Sequence, residues 1–271
     1  MRRLLGTFVA GLVVCAGCTS GSDEQPSPAP ASPPALSLAS LDLGWSTAQG
    51  KLDAGDPPPA PEGVNPLTYE RMAADLASWA RVTTVDDSVW HAAKPVDAVS
   101  EVLPARAAAA LRKQARSAVS PRLAVANVFA DDVTVLGTPQ VSTAWQVSQA
   151  DDEDGKPYVV LELQTRAAYE VRLGSDGPVR VIGMLRVHGL SAYADTTDDF
   201  GVSGGWQEFG AGDCALALDD QLVPESDLEE TRSDLQTFQR VGDADDVEMP
   251  DLGDDEQVDA DYLQRCRAGQ V

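Results

Sequence analysis

YVVLELQTRAAYEVR, residues 158–172, decides the fold. Val159, Leu161, Leu163, Thr165, Ala167, Tyr169 and Val171 share one parity, and Glu162, Gln164, Arg166, Glu170 and Arg172 share the other. Successive side chains of a strand point to opposite faces, so this is a long strand with one buried face and one wet face. Gly174-Ser175-Asp176-Gly177 then reads as a tight turn, and Val179 to Tyr193 as a second long strand paired antiparallel with the first. Upstream, Val141, Thr143, Trp145 and Val147 alternate with Ser142, Ala144, Gln146 and Ser148. Downstream, Gly204 to Leu218 reads as one more strand.

Before residue 120 the apolar period is 3.6 instead of 2. Asn65-Pro66 opens a helix, because Asn caps free N–H groups and Pro at the first helical position loses only an orphan donor. Tyr69, Met72, Ala73, Leu76 and Ala80 fall on one face of it, with Val64 and Tyr69 spaced as a hydrophobic staple. A second helical region spans 97–118, interrupted at Pro104, with Leu103, Ala107, Leu111 and Ala115 as its apolar stripe. Helices followed by an antiparallel meander define an α+β domain, with the helices expected on one face of the sheet. Gly183, Gly189, Gly210 and Gly212 suit the bends of a curved sheet.

Charge narrows the partners. The 271 residues carry 43 Asp and Glu against 20 Lys and Arg, a net charge of −23. Phosphate binding needs a basic footprint, so nucleic acid is not an expected partner. Hydrophobic residues make up 43% of the chain, enough for one sizeable core.

The N-terminus reads as an export signal. Arg2-Arg3 precedes LLGTFVAGLVV, an apolar run of about eleven residues, too short to span a bilayer but fitting a signal-peptide core. It ends in CAGC, with Ala16 and Gly17 ahead of Cys18, followed by TSGSDEQPSPAPASPPA. A Pro/Ser/Ala-rich stretch of this kind stays extended, at about 3.1 Å per residue, and suits a tether. The expected organisation is a signal peptide over 1–17, a lipidated Cys18 with its tether over 18–63, within which Leu36 to Trp45 reads as a short strand or docking segment, an α+β domain over 64–223 and an acidic helical extension over 224–271.

The extension carries 15 acidic and 4 basic residues. Ser226 and Glu229 are spaced as a capping box ahead of Leu228, Leu235 and Phe238, and Val258, Tyr262 and Cys266 recur every four residues. With Cys15 in the signal and Cys18 lipidated, Cys214 and Cys266 remain. An even pair in an exported protein reads as a disulfide.

Residues 15–18 resemble the lipobox of bacterial lipoproteins, with Cys15 where that motif has an aliphatic residue. With four Lys against sixteen Arg and abundant Ala, Asp and Val, the chain is similar to lipoproteins of high-GC, actinobacterial-type bacteria. The element order over residues 65–222 resembles the NTF2-like cone fold. These resemblances imply a palmitate-bearing Cys18, lipid anchoring on the outer face of the cell membrane, and a cone that holds either a ligand or plain core packing.

Chemistry-bearing motifs are few. Gly201-Val202-Ser203-Gly204-Gly205 matches G-x-S-x-G, but a strand follows it and no His lies downstream. Asp151-Asp152-Glu153-Asp154-Gly155 lacks the spacing of a calcium loop and reads as a solvated turn. No cofactor fingerprint or metal motif occurs, so no catalytic, cofactor or metal residue is assigned. His188 shares its strand face with Arg180, Ile182, Met184 and Arg186, and the two Arg suggest the polar side; His91 beside Trp90 reads as a packed surface or turn residue. Trp145, Tyr169 and His188 are the candidates for lining a pocket. The expected role is non-catalytic binding of a small ligand or a cell-envelope protein. The alternatives are acid–base catalysis in the cone, with His188 or an interior carboxylate as base, and a structural envelope role.

Overall fold

A computed structural model describes residues 36–48, 50–118, 120–193, 199–240 and 260–268. The signal peptide, Cys18 and the Pro-rich stretch to residue 35 lie outside the described residues. The chain builds α1 (Leu38–Leu41), β1 (Ser46–Thr47), α2 (Pro66–Val85), α3 (Asp87–Trp90), α4 (Pro95–Glu101) and α5 (Ala105–Ser117). Then come β2 (Val133–Val135), β3 (Gln140–Asp151), β4 (Pro157–Leu173), β5 (Val179–Tyr193) and β6 (Gly201–Phe209), followed by α6 (Asp213–Asp219), α7 (Leu228–Arg240) and α8 (Ala260–Ala268).

The strands form one open antiparallel sheet in the order β1-β3-β4-β5-β6, with β2 beside the far end of β4. The two long strands pair as the alternation predicts, with Leu163 opposite His188 and Tyr169 opposite Ile182. Opposite residues of an antiparallel pair share a face. The odd positions of β4 from Val159 to Val171 are therefore buried together with His188, Arg186, Met184 and Ile182 of β5.

The helices start where the local chemistry dictates. Asn65 Oδ1 accepts from the Leu67 amide at 2.9 Å, and Pro66 occupies the first helical position. Met72, Leu76 and Ala80 of α2 are fully buried. The first of the two helices ends at Glu101 and Pro104 caps the start of the next, and Leu103, Ala107, Leu111 and Ala115 are all buried.

Helices cover both faces of the sheet, not one. Leu36 and Leu38 join Leu235 and Phe238 of α7 in a second core against Ala168, Val181 and Leu185, whose side chains point away from α2. Gly183 permits this: a Cβ there would lie 2.8 Å from the Phe238 ring. Its role is close approach of a helix and not the expected bend. Trp45 stacks edge-on to Phe238 at 5.2 Å, and the Arg166 guanidinium lies 4.9 Å from the Trp45 ring.

Three other expectations are corrected. Residues 36–63 belong to the folded unit and not to a tether: Leu36 to Trp45 is the docking segment, with Leu36, Leu38 and Trp45 covering apolar sheet surface, and β1 pairs with β3. The predicted strand 204–218 stops at Phe209, since Gly210 turns the chain with φ +73° and α6 follows Gly212. At α7 the cap is Asp227, not Ser226. Its Oδ1 accepts from the amides of Glu229 and Glu230 at 2.7 and 3.2 Å, whereas the Ser226 hydroxyl donates to Glu225. The Sγ atoms of Cys214 on α6 and Cys266 on α8 lie 2.09 Å apart, a disulfide bond across 52 residues of sequence.

Candidate functional site

The sequence candidates do not converge on one pocket. Trp145 on β3 is half-buried, and its indole N–H donates to the Ala54 carbonyl at 2.7 Å. Thr143 donates to Asp53 O at 3.2 Å, so residues 53–55 cover this part of the sheet. Tyr169 and His188 are fully buried between the sheet and the helices.

The face they share is filled by a polar network. The Tyr169 hydroxyl donates to Thr84 O at 2.6 Å and accepts from Asn127 Nδ2 at 2.8 Å. Asn127 Oδ1 accepts from Arg186 Nε at 3.1 Å and from Nη2 at 3.0 Å. Nη2 also donates to Leu123 O at 2.7 Å, within the turn formed by residues 120–126. A guanidinium in an apolar interior is tolerated only when its donors are matched, and here amide and carbonyl oxygens do this without a carboxylate partner. Burial lowers the Arg186 pKa to about 10, so it stays charged at neutral pH. Burial raises the Tyr169 phenol well above its ordinary value. Trp90 and Phe129 pack edge-on against the Tyr169 ring at 5.8 and 5.1 Å.

His188 lies one strand position pair further along the same face, in the interior and not on the polar side. Its Nδ1 lies 3.2 Å from Leu163 O, which can only accept, so Nδ1 carries the proton. Nε2 then accepts from the Thr83 hydroxyl at 2.7 Å, and the Trp79 ring closes over it edge-on at 4.9 Å. Burial, reinforced by the Arg186 charge, pulls the His188 pKa down to about 3. The imidazole is neutral, engaged at both nitrogens and shut away from solvent.

A pH dependence follows. Above pH 6.5, His188 is neutral whether the chain is folded or unfolded, and it contributes no slope. Between 6.5 and about 3 the unfolded chain takes up a proton that the folded one refuses, so stability falls as the pH is lowered. Between pH 7 and 5 the loss from this group is about 2 kcal/mol. Urea unfolding of the wild type and of His188→Gln at pH 7, 6 and 5 measures it. The variant should show the shallower slope, and parallel slopes would refute the buried neutral imidazole.

The open space lies elsewhere, at the end of the β3–β4 hairpin. A cleft of about 660 Å³ is floored by Ala110, Ala192, Phe200 and the rings of Tyr158 and Tyr193. Its rim carries Asp151, Asp152, Glu153 and Asp199, with Arg106 from α5. Tyr158 and Tyr193 are direct cross-strand neighbours, with ring centroids 6.1 Å apart and edge to face. The acidic loop is more than a solvated turn. Asp152 Oδ1 accepts from the amides of Asp154 and Lys156 at 3.0 and 2.8 Å, and Oδ2 accepts from the Tyr193 hydroxyl at 2.9 Å. Those donors, the Lys156 amide foremost, lower the Asp152 pKa. The hairpin is thereby tied to β5. Arg106 pairs with Asp199 across the mouth, and the Lys156 ammonium sits 4.3 Å from the Tyr193 ring centroid.

A second recess of about 480 Å³ surrounds the 3.2 Å Arg81–Asp86 ion pair, between Trp90 and Pro139. Among the described residues no group of three His, Cys, Asp or Glu side chains converges as a metal site requires, and no helix is long and apolar enough to cross a membrane. Comparison with protein-family models, with curated proteins and with solved structures finds no match.

Sequence reasoning missed Asn127, Thr83, Thr84 and Arg186 as interior residues. A signal existed for two of them: Asn127 interrupts the apolar run 123–130, and Arg186 shares its parity with Met184 and Leu190. For the cleft there was none, because Arg106 and Asp199 stand 93 residues apart.

Proposed function

We propose that this chain is an exported lipoprotein, held at the outer face of the cell membrane by a lipid on Cys18, whose α+β domain binds a small ligand or an envelope protein without turning it over. The α+β order of helices and then an antiparallel meander supports an NTF2-like reading of the architecture. The Cys214–Cys266 bond suits an oxidising compartment. The binding site in this reading is the cleft between the β3–β4 hairpin and α5.

The observation that carries binding over turnover is the state of His188. A general base must reach its substrate within hydrogen-bonding distance and titrate near the working pH. His188 is buried, its pKa is low, and both its nitrogens are already engaged. The inner sheet face is occupied by Tyr169, Arg186 and Asn127 and not by a ligand cavity. The cleft offers instead an apolar floor and a polar rim of the size that small ligands occupy.

Two measurements test the reading. Labelled palmitate should enter the wild type and not Cys18→Ala, and equal labelling of both would end the lipoprotein assignment. A screen of the chain against hydrolase and isomerase substrates should show no turnover that one interior substitution abolishes. Such a turnover, lost without loss of folding, would replace binding with catalysis.

A further inference from the structure

We propose that the cleft takes an organic cation with an apolar arm: an ammonium group seated among the rim carboxylates, and a hydrocarbon or aryl arm lying on the half-buried rings of Tyr158 and Tyr193. This rests on the reading of the cleft as the binding site of the domain.

Three features of the cleft select the charge and the arm. The first is the electrostatic imbalance of the rim. Among the described residues four carboxylates meet two cations: Arg106, already paired with Asp199, and Lys156, whose ammonium lies over the Tyr193 ring. Asp152 is occupied by two backbone amides and the Tyr193 hydroxyl. Asp151 and Glu153 remain, both exposed, with neither an ion pair nor a hydrogen bond among the described residues. The rim is therefore net negative and disfavours a further anion, and the −23 charge of the whole chain steers cations inward.

The second feature is aromatic. A π face attracts an ammonium through its quadrupole. The site already uses this attraction, since the Lys156 ammonium stands over the Tyr193 ring at 4.3 Å. The edge-to-face partner ring of Tyr158 extends that surface along the sheet.

The third feature is apolar depth. Phe200 and Ala192 are buried under the cleft, and Ala110 of α5 closes its side. The accessible apolar surface is that of Tyr158, Tyr193 and Ala110; a free metal ion or a bare polyamine leaves it uncovered, whereas an amphipathic cation covers it and neutralises the rim with one molecule. About 660 Å³ holds a single aryl-alkyl chain with its headgroup.

The experiment uses three probes with one arm and three charges: 4-phenylbutylammonium, 4-phenylbutanol and 4-phenylbutyrate. Each is titrated into the full chain by calorimetry at low and at physiological salt. The ammonium should bind at least tenfold more tightly than the alcohol, weaken as salt rises, and exclude the butyrate. Asp151→Asn/Glu153→Gln, a surface pair whose replacement leaves the hairpin hydrogen bonds of Asp152 in place, should cost the ammonium about tenfold and leave the alcohol unchanged. Tyr158→Ala, its folding checked by circular dichroism, should weaken both. Equal binding of ammonium and alcohol, both weakened by Tyr158→Ala, would overturn the cationic class while sustaining the cleft as the site. Absence of binding by all three, or binding that no cleft substitution alters, would overturn the cleft reading itself.

Discussion

Asn127→Leu should destabilise the domain by about 3–5 kcal/mol and lower its melting temperature by roughly 10 °C. Asn127 gives Arg186 an acceptor for both Nε and Nη2, and its amide nitrogen donates to the Tyr169 hydroxyl. Leucine fills similar volume but leaves a charged group in the interior with its Nε–H and one Nη2–H unmatched. Hydrogen bonds to charged groups are worth about 1.5–3 kcal/mol, and an unmatched buried charge costs more than a lost neutral bond. The test is a double-mutant cycle with Arg186→Met. If the stranded charge is what hurts, adding Arg186→Met to Asn127→Leu should recover part of the loss, because two apolar groups of matching size satisfy each other. Simple additivity of the two costs would show that the network is not coupled.

Breaking the disulfide is expected to be equally severe. Cys214 and Cys266 close a loop of 52 residues, and removing a link of that length from the unfolded chain's constraints costs about 4 kcal/mol. Residues 241–259 within this loop carry nine Asp and Glu and no Lys or Arg, so like-charge repulsion opposes holding the terminal helix in place. In α8 the Cys266 side chain is buried, while Gln264, Arg265, Arg267 and Ala268 are exposed. Cys214→Ser/Cys266→Ser, and the wild type under reductant, should both show the loss in urea unfolding. Hydrogen exchange should find α8 amides deprotected first. Undiminished stability with both thiols free would mean that α8 is held by packing.

How far the primary structure could be read depended on whether a segment was asked for its period or for its neighbours. The 158–172 alternation named the buried face of β4 correctly because one face of that strand is dry and the other is partly wet. The same logic failed on β5. Its residues 181–186 are all buried, since α2 covers one side and α7 covers part of the other, so alternation there carries no contrast. Arg186 and His188 were misassigned for a related reason. Residue type predicts exposure only while no partners exist inside, and their partners Asn127, Thr83, Leu123 and Leu163 come from other elements. The acidic hairpin was read as solvated, which holds for Asp151 and Glu153. Asp152 differs because Tyr193, 41 residues away, donates to it.

The amino-acid sequence by itself determined the long antiparallel pair, the start of α2 at Asn65-Pro66, the break at Pro104 and the even cysteine pair. Each rests on chemistry confined to a few neighbouring residues: side-chain period, a missing N–H, a capping carboxamide, a thiol left over. Only the tertiary structure decided that helices cover both sheet faces, that residues 36–63 belong to the fold, that a guanidinium and an imidazole are interior, and that open space lies at the hairpin end instead of under α2. Those outcomes depend on which surfaces meet. A polar side chain can enter a core only where distant groups complete its hydrogen bonds, and a cleft exists only where packing elsewhere leaves one unfilled.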